Sequence, residues 1–205
     1  MVKLDKTKLM KQIEIDLKNL NSVQLKLITD YLNKGKVITY PTDTIYGLGC
    51  LANSYKAIKK IRGVKQQENN KPFLILVSSL AMARKYCFIS QRQEKYLKSV
   101  WPGPTTVVLK NRGLLSRELF GGLDSLAIRL PKSEFIAKII KRVKIPIVST
   151  SLNRARKIPL SKLCNIDKHF IDNKPDLVVK AEILVKKPSK LIDLRDIDNI
   201  KILRK

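Results

Sequence analysis

The order of apolar and polar runs predicts an α/β fold, with a twisted mixed sheet flanked by helices. Three observations carry that expectation. Short runs rich in β-branched residues (KVITY, FLILV, TTVVLK, SLAIRL and IPIVSTS) alternate with stretches of helical periodicity. FLILV, residues 73–77, is unbroken by any polar group, as expected of a strand buried on both faces. No internal repeat or low-complexity linker divides the 205 residues, a length that suits one well-buried domain. The domain is assigned to residues 21–205, with residues 1–20 as a lead segment.

The lead segment, MVKLDKTKLMKQIEIDLKNL, alternates charged and aliphatic residues too finely for a signal peptide. Ser22 then reads as the cap of a helix over VQLKLITDYLNKG. Val23, Leu27, Ile28, Tyr31 and Leu32 form its apolar face and Gly35 its stop. The strand KVITY runs into YPTDTIYGLG, residues 40–49, where Pro41, two glycines and several small polar groups read as the wall of a pocket. SYKAIKKIRGVKQ is helical, with Ala57, Ile58 and Ile61 on one side, and the loop QQENNKP closes at Pro72. After FLILV come helices around SLAMARKY and QRQEKYLKSV, then a turn at Pro102-Gly103-Pro104 into the strand TTVVLK. SLAIRLP is a strand carrying a lone arginine, SEFIAKIIKRV a helix capped by Ser133, and IPIVSTS a further strand. DLVVK and KLIDL add one or two more. The polar residues that stand out fall just after strand ends, where open α/β sheets place ligands.

Forty-two lysines and arginines against 17 acidic residues give a formal charge of +25. Such a field attracts polyanions, nucleotides and RNA included, although a general drift toward lysine produces the same excess without a partner. Cys50, Cys87 and Cys164 lie far apart with no metal-ligand spacing and are expected to be reduced. His169 is the only histidine, which argues against most zinc sites and against a Ser-His-Asp triad. No run approaches the ~20 apolar residues needed to cross a bilayer, so a cytoplasmic protein is expected.

YPTDTIYGLG, WPGPTT, LAIRLP and STSLN (residues 149–153) occur in that order. Together they resemble the YrdC-type threonylcarbamoyl-adenylate synthase family, from about residue 21 to the end. The resemblance implies a YrdC-like sheet with a large basic concave face. It implies a reaction of L-threonine, bicarbonate and ATP that gives threonylcarbamoyl-adenylate and pyrophosphate, for modification of an adenosine beside the tRNA anticodon. Mg2+ would travel with the nucleotide, tRNA would meet the basic face, separate transferase proteins would act downstream, and the chain would be a monomer. Carried over by motif, Lys65, Ser125, Ser151, Asn153 and Ser189 would bind ATP. Thr42, Arg129 and Ser149 would bind threonine, with Thr44, Tyr46, Gln67 and Thr106 subsidiary. No residue is assigned as acid or base.

The residues are compatible with that chemistry. Without a Walker A loop or GxGxxG, a triphosphate must be held by scattered groups. Displacement at phosphorus depends mainly on alignment and charge neutralisation, which lysine, hydroxyl and amide groups supply. The sequence departs from the family where Gln67 stands for an arginine: either Lys71 or Arg62 replaces that cation or the loop is shifted, and Arg154 and Arg156 after STSLN either restore the charge or are surface groups. The closing segments read PSK and LRK, where the family has Pro-Ser-Thr and an arginine-x-glycine. Two other classes compete: a noncatalytic basic RNA-binding module of the same fold, and a carbamoyl-handling domain with another acceptor.

Overall fold

The computed structural model describes residues 10–66, 71–153, 163, 166, 170, 173–182 and 187–205. Its strands are β1 (Lys11–Glu14), β2 (Ile38–Tyr40), β3 (Gly47–Leu51), β4 (Leu74–Leu76), β5 (Thr105–Lys110), β6 (Ser125–Arg129), β7 (Ile147–Ser151), β8 (Leu177–Lys180), β9 (Lys190–Asp193) and β10 (Lys201–Arg204). They form one mixed sheet in the order β1-β8-β2-β3-β7-β4-β6-β5-β9-β10. The described helices are α1 (Ser22–Asn33), α2 (Tyr55–Lys65), α3 (Leu80–Tyr86), α4 (Gln91–Val100), α5 (Arg117–Phe120) and α6 (Glu134–Val143). None is long and apolar enough to cross a membrane.

Helix starts follow from side chains that satisfy the first free N–H groups. Asn21, not Ser22, caps α1 by accepting from the Val23 N–H, and Gly35 at φ +66° takes the chain out of the helix. Ser79 and Ser133 cap α3 and α6. Ser90 and Gln93 form a reciprocal capping box on α4. β1, within the lead segment, extends the sheet by pairing parallel to β8. That strand, α5 and β10 are only four residues each, too short for a periodic signal.

Period-two alternation sorts the strand residues onto two faces. One face carries Leu48, Cys50, Ile75, Val107, Leu109, Leu126, Ile128 and Val148 into a core shared with α2, α3 and α4. On the opposite face Ile38, Tyr40, Leu51, Leu76, Ile147, Leu177 and Val179 pack beneath α1 and α6. These two helices cover only part of that face. Its remainder runs from β7 to β10 and is where the cavity lies.

The YGLG glycines have a packing cause. The fully buried Tyr40 ring lies over Gly47 and Gly49 of the paired strand. A Cβ on Gly49 would meet the Val148 carbonyl oxygen at 2.2 Å and the Tyr40 ring at 2.9 Å. Gly49→Ala is therefore expected to lower stability by about 2 kcal/mol or more, read from the urea midpoint at constant m. An unchanged midpoint would contradict the packing role.

Candidate functional site

The cavity, about 650 Å³, opens on the uncovered sheet face and is lined by alternate residues of successive strands. Its floor follows one cross-strand row: Ser149 opposite Leu74, then Ala127, Val108 and Asp193. Ser149 and Ala127 are small, so this row leaves a depression where larger side chains would fill it. Thr42 and Thr44 follow β2, Arg129 and Ser151 end β6 and β7, and Asn153 follows β7, as expected of a site at strand ends; Ser125, Thr106 and Ser149 lie within strands and share one face.

Every residue assigned to ATP or threonine that the structure describes lines this cavity: Thr42, Thr44, Tyr46, Lys65, Thr106, Ser125, Arg129, Ser149, Ser151, Asn153 and Ser189. Gln67, Arg154, Arg156, Cys164 and His169 lie outside the described residues.

The lining groups form three hydrogen-bonded clusters. In the first, the turn after β2 folds around Thr42, whose hydroxyl donates to the Ile45 carbonyl and accepts from the N–H groups of Thr44 and Ile45. Its oxygen also lies 3.1 Å from the Thr44 hydroxyl. Arg129, at the end of β6, donates from Nε to the Gly103 carbonyl (2.9 Å) and from Nη1 to Thr44 (3.3 Å). Its Nη2 lies 2.7 Å from Asp43 Oδ1, with the two side chains 5% and 12% exposed. Burial lowers the Arg129 pKa, and the Asp43 charge works against that shift.

In the second cluster, Lys65 ends α2 with its ammonium turned into the β7 turn. Nζ donates to the Ser151 carbonyl (2.7 Å), the Asn153 carbonyl (3.0 Å) and Asn153 Oδ1 (2.7 Å). Ser151 Oγ donates to the same Asn153 oxygen at 2.6 Å. Burial, with a smaller contribution from the Lys71 charge, brings the Lys65 pKa down to about 8.

The third cluster sits at the opposite edge. Thr106 and Ser189 hydroxyls are 2.8 Å apart, and Arg204 of β10 donates to the Ser189 carbonyl and hydroxyl. Tyr46 closes another side, its phenol donating to the Ala181 carbonyl and accepting from the Ala181 N–H.

Several lining residues were missed in the sequence. Asp43 stood inside YPTDTIYGLG, but nothing there announced Arg129 as its partner. Arg204 was visible only as the closing LRK. Asp193, held by Arg195 at 2.7 Å, and the apolar Leu123, Leu191 and Leu203 left no signal. Of the four cations weighed as stand-ins for the missing arginine, two are described, and of these Lys71 lines the cavity. Arg62 does not. It donates to the Lys71 and Glu118 carbonyls and stacks 4.5 Å over the Phe73 ring, so it braces Lys71 and Phe73. Among the described residues no group of three or more histidine, cysteine or acidic side chains is placed to hold a metal ion.

A family model named for Sua5, YciO and YrdC, and described as "Telomere recombination", matches residues 30–205. A threonylcarbamoyl-AMP synthase of Pyrococcus abyssi is 28% identical over 177 residues, covering 84% of this chain and 51% of its own length. The chain thus spans about half the length of that curated relative. The structure of P. abyssi Sua5 complexed with L-threonine superposes with a TM-score of 0.81 at 26% identity, over 91% of this chain and 54% of that one. Escherichia coli YciO shares the fold, with a TM-score of 0.87 at 24% identity and 96% of both chains covered.

Proposed function

The chain belongs to the Sua5/YciO/YrdC family, and on that footing we propose that it is a threonylcarbamoyl-AMP synthase. It would join L-threonine, bicarbonate and ATP into threonylcarbamoyl-adenylate, with release of pyrophosphate and of one water from carbamate formation. One observation carries the reading: the Thr42–Thr44–Arg129 cluster and the Lys65–Ser151–Asn153 cluster, far apart in sequence, face a single cavity. Its size falls in the range of small-molecule sites. Among its described lining residues, Lys65, Lys71, Arg129, Arg195 and Arg204 outweigh Asp43 and Asp193, a balance suited to an anionic nucleotide.

Threonine sits at the turn after β2. Its carboxylate meets Arg129, whose planar fork suits that geometry, and Thr42, Thr44 and Ser149 contact the rest, with Tyr46 shaping that wall. The phosphates lie toward Lys65, Ser151 and Asn153. The nucleoside extends over Ser125 toward Thr106 and Ser189. ATP supplies the adenylyl group and the leaving pyrophosphate. The chain's own contribution is to place the carbamate oxygen in line with the α-phosphorus and to neutralise charge there. Mg2+ would arrive with ATP and neutralise charge on its phosphates; among the described residues no cluster of histidine, cysteine or acidic side chains is placed to hold it.

The product would serve tRNA modification, with tRNA at the basic face, transferase proteins downstream, and a monomeric chain in the cytoplasm. Pyrophosphate release from ATP, with magnesium and bicarbonate present, tests the reading. Release that requires L-threonine and is absent with serine is the expected result. No release from folded protein that binds RNA with a steep salt dependence would instead identify the noncatalytic module.

A further inference from the structure

Arg129 and Asp43 are close but poorly matched. Nη2 and Oδ1 stand 2.7 Å apart, yet off the line of the N–H bonds, and neither atom has an aligned hydrogen-bond partner among the described residues. Both atoms are buried, and both residues line the cavity. The other groups of each side chain are well used. Asp43 Oδ2 accepts from the Lys132 N–H (3.1 Å), and Arg129 donates from Nε to Gly103 and from Nη1 to Thr44. A pair built only to stabilise the fold would align its one remaining contact, because a buried, unaligned charge costs free energy. The two atoms instead form adjacent, opposite charges at a cavity wall.

An α-amino acid carries its ammonium and carboxylate on a single carbon, so its two charges are also adjacent and opposite. We propose that Asp43 accepts the α-ammonium of the amino-acid substrate, so that Asp43 and Arg129 together clamp the zwitterion. This rests on the reading of the cavity as an amino-acid and ATP site and adds a recognition residue to it. Each ligand charge then meets a protein charge of opposite sign at the cavity wall. A carboxylic acid without the amine leaves Asp43 unanswered and brings a second carboxylate close to it.

The test compares L-threonine with 3-hydroxybutanoate, which is threonine without its amine, by calorimetric titration of the full chain and of Asp43→Asn. Asparagine keeps an acceptor for the Lys132 N–H, and ATP titration with a thermal melt checks that the variant is folded. The substitution is expected to weaken threonine by about 30-fold or more, the scale of a lost charge-assisted hydrogen bond. Binding of 3-hydroxybutanoate should be kept or improved. Threonine affinity unchanged in Asp43→Asn overturns the assignment. Equal loss of both ligands also overturns it, because Asp43 would then act only by holding Arg129. Failure of the unaltered chain to bind threonine at all would refute the underlying reading of the cavity.

Discussion

Arg129→Ala is expected to reduce the free energy of unfolding by about 3–5 kcal/mol, the usual cost of removing one partner of a buried ion pair. The loss is large because three contacts go together. The Gly103 carbonyl and the Thr44 hydroxyl lose a donor, and Asp43 is left with an uncompensated charge beside the cavity. Arg129→Lys separates this structural cost from recognition. It keeps a cation near Asp43, but one ammonium cannot reproduce the fork that reaches Gly103, Thr44 and Asp43 at once. Lysine should recover much of the stability, while threonine affinity stays lower by about 100-fold. Chemical denaturation and threonine titration read the two effects separately. A variant as stable as the parent after Arg129→Ala would show that the pair contributes little.

Lys65→Met is the second large effect. Methionine matches the length of the side chain but removes the donor that Lys65 gives to the Ser151 carbonyl and to the two Asn153 oxygens, of which Oδ1 keeps the Ser151 hydroxyl. The turn after β7 should loosen, and ATP affinity should fall by about 100-fold, with threonine affinity changed far less. The same amine sets a pH dependence. In the fold its pKa is lowered from 10.5 to about 8, so the folded state holds fewer protons than the unfolded chain between those values. The penalty for burying the cation is thus fully present below about 8 and is relieved as pH rises toward 10.5. Phosphate brought to this end of the cavity favours the charged amine and reverses that shift. ATP affinity should therefore fall as pH rises through about 8, with net proton uptake on binding above it. Calorimetry in buffers of different ionisation enthalpy measures the uptake. Equal heats across buffers, or a flat affinity profile, would remove Lys65 from the phosphate end.

Much of the fold could be read in advance because its signals are local. Ser133 caps α6, the helix and strand periods switch where expected, and FLILV marks a central strand. The site was legible as a set of residues but not as a place. Ser149, Ser125 and Thr106 were legible as members of three strands; only the cross-strand register shows that they share a face left open by α1 and α6. The glycines of YGLG looked like bare backbone for a ligand, and for Gly49 the cause is the Tyr40 ring on the neighbouring strand. Asp43 and Arg129 lie 86 positions apart, and no local pattern joins them. Arg62 had the charge expected of a replacement cation, but stacking on Phe73 turns it away from the cavity.

The most direct test of the central claim, that threonine and ATP meet in this one cavity, follows the carbon of bicarbonate. The purified chain would be incubated with 13C-bicarbonate, ATP, magnesium and L-threonine, and the products resolved by mass spectrometry. Labelled threonylcarbamoyl-adenylate, formed by the parent chain and lost in both Arg129→Lys and Lys65→Met, is the result expected. ATP converted without label entering an adenylate, or equal product from either variant, would contradict the assignment of the cavity.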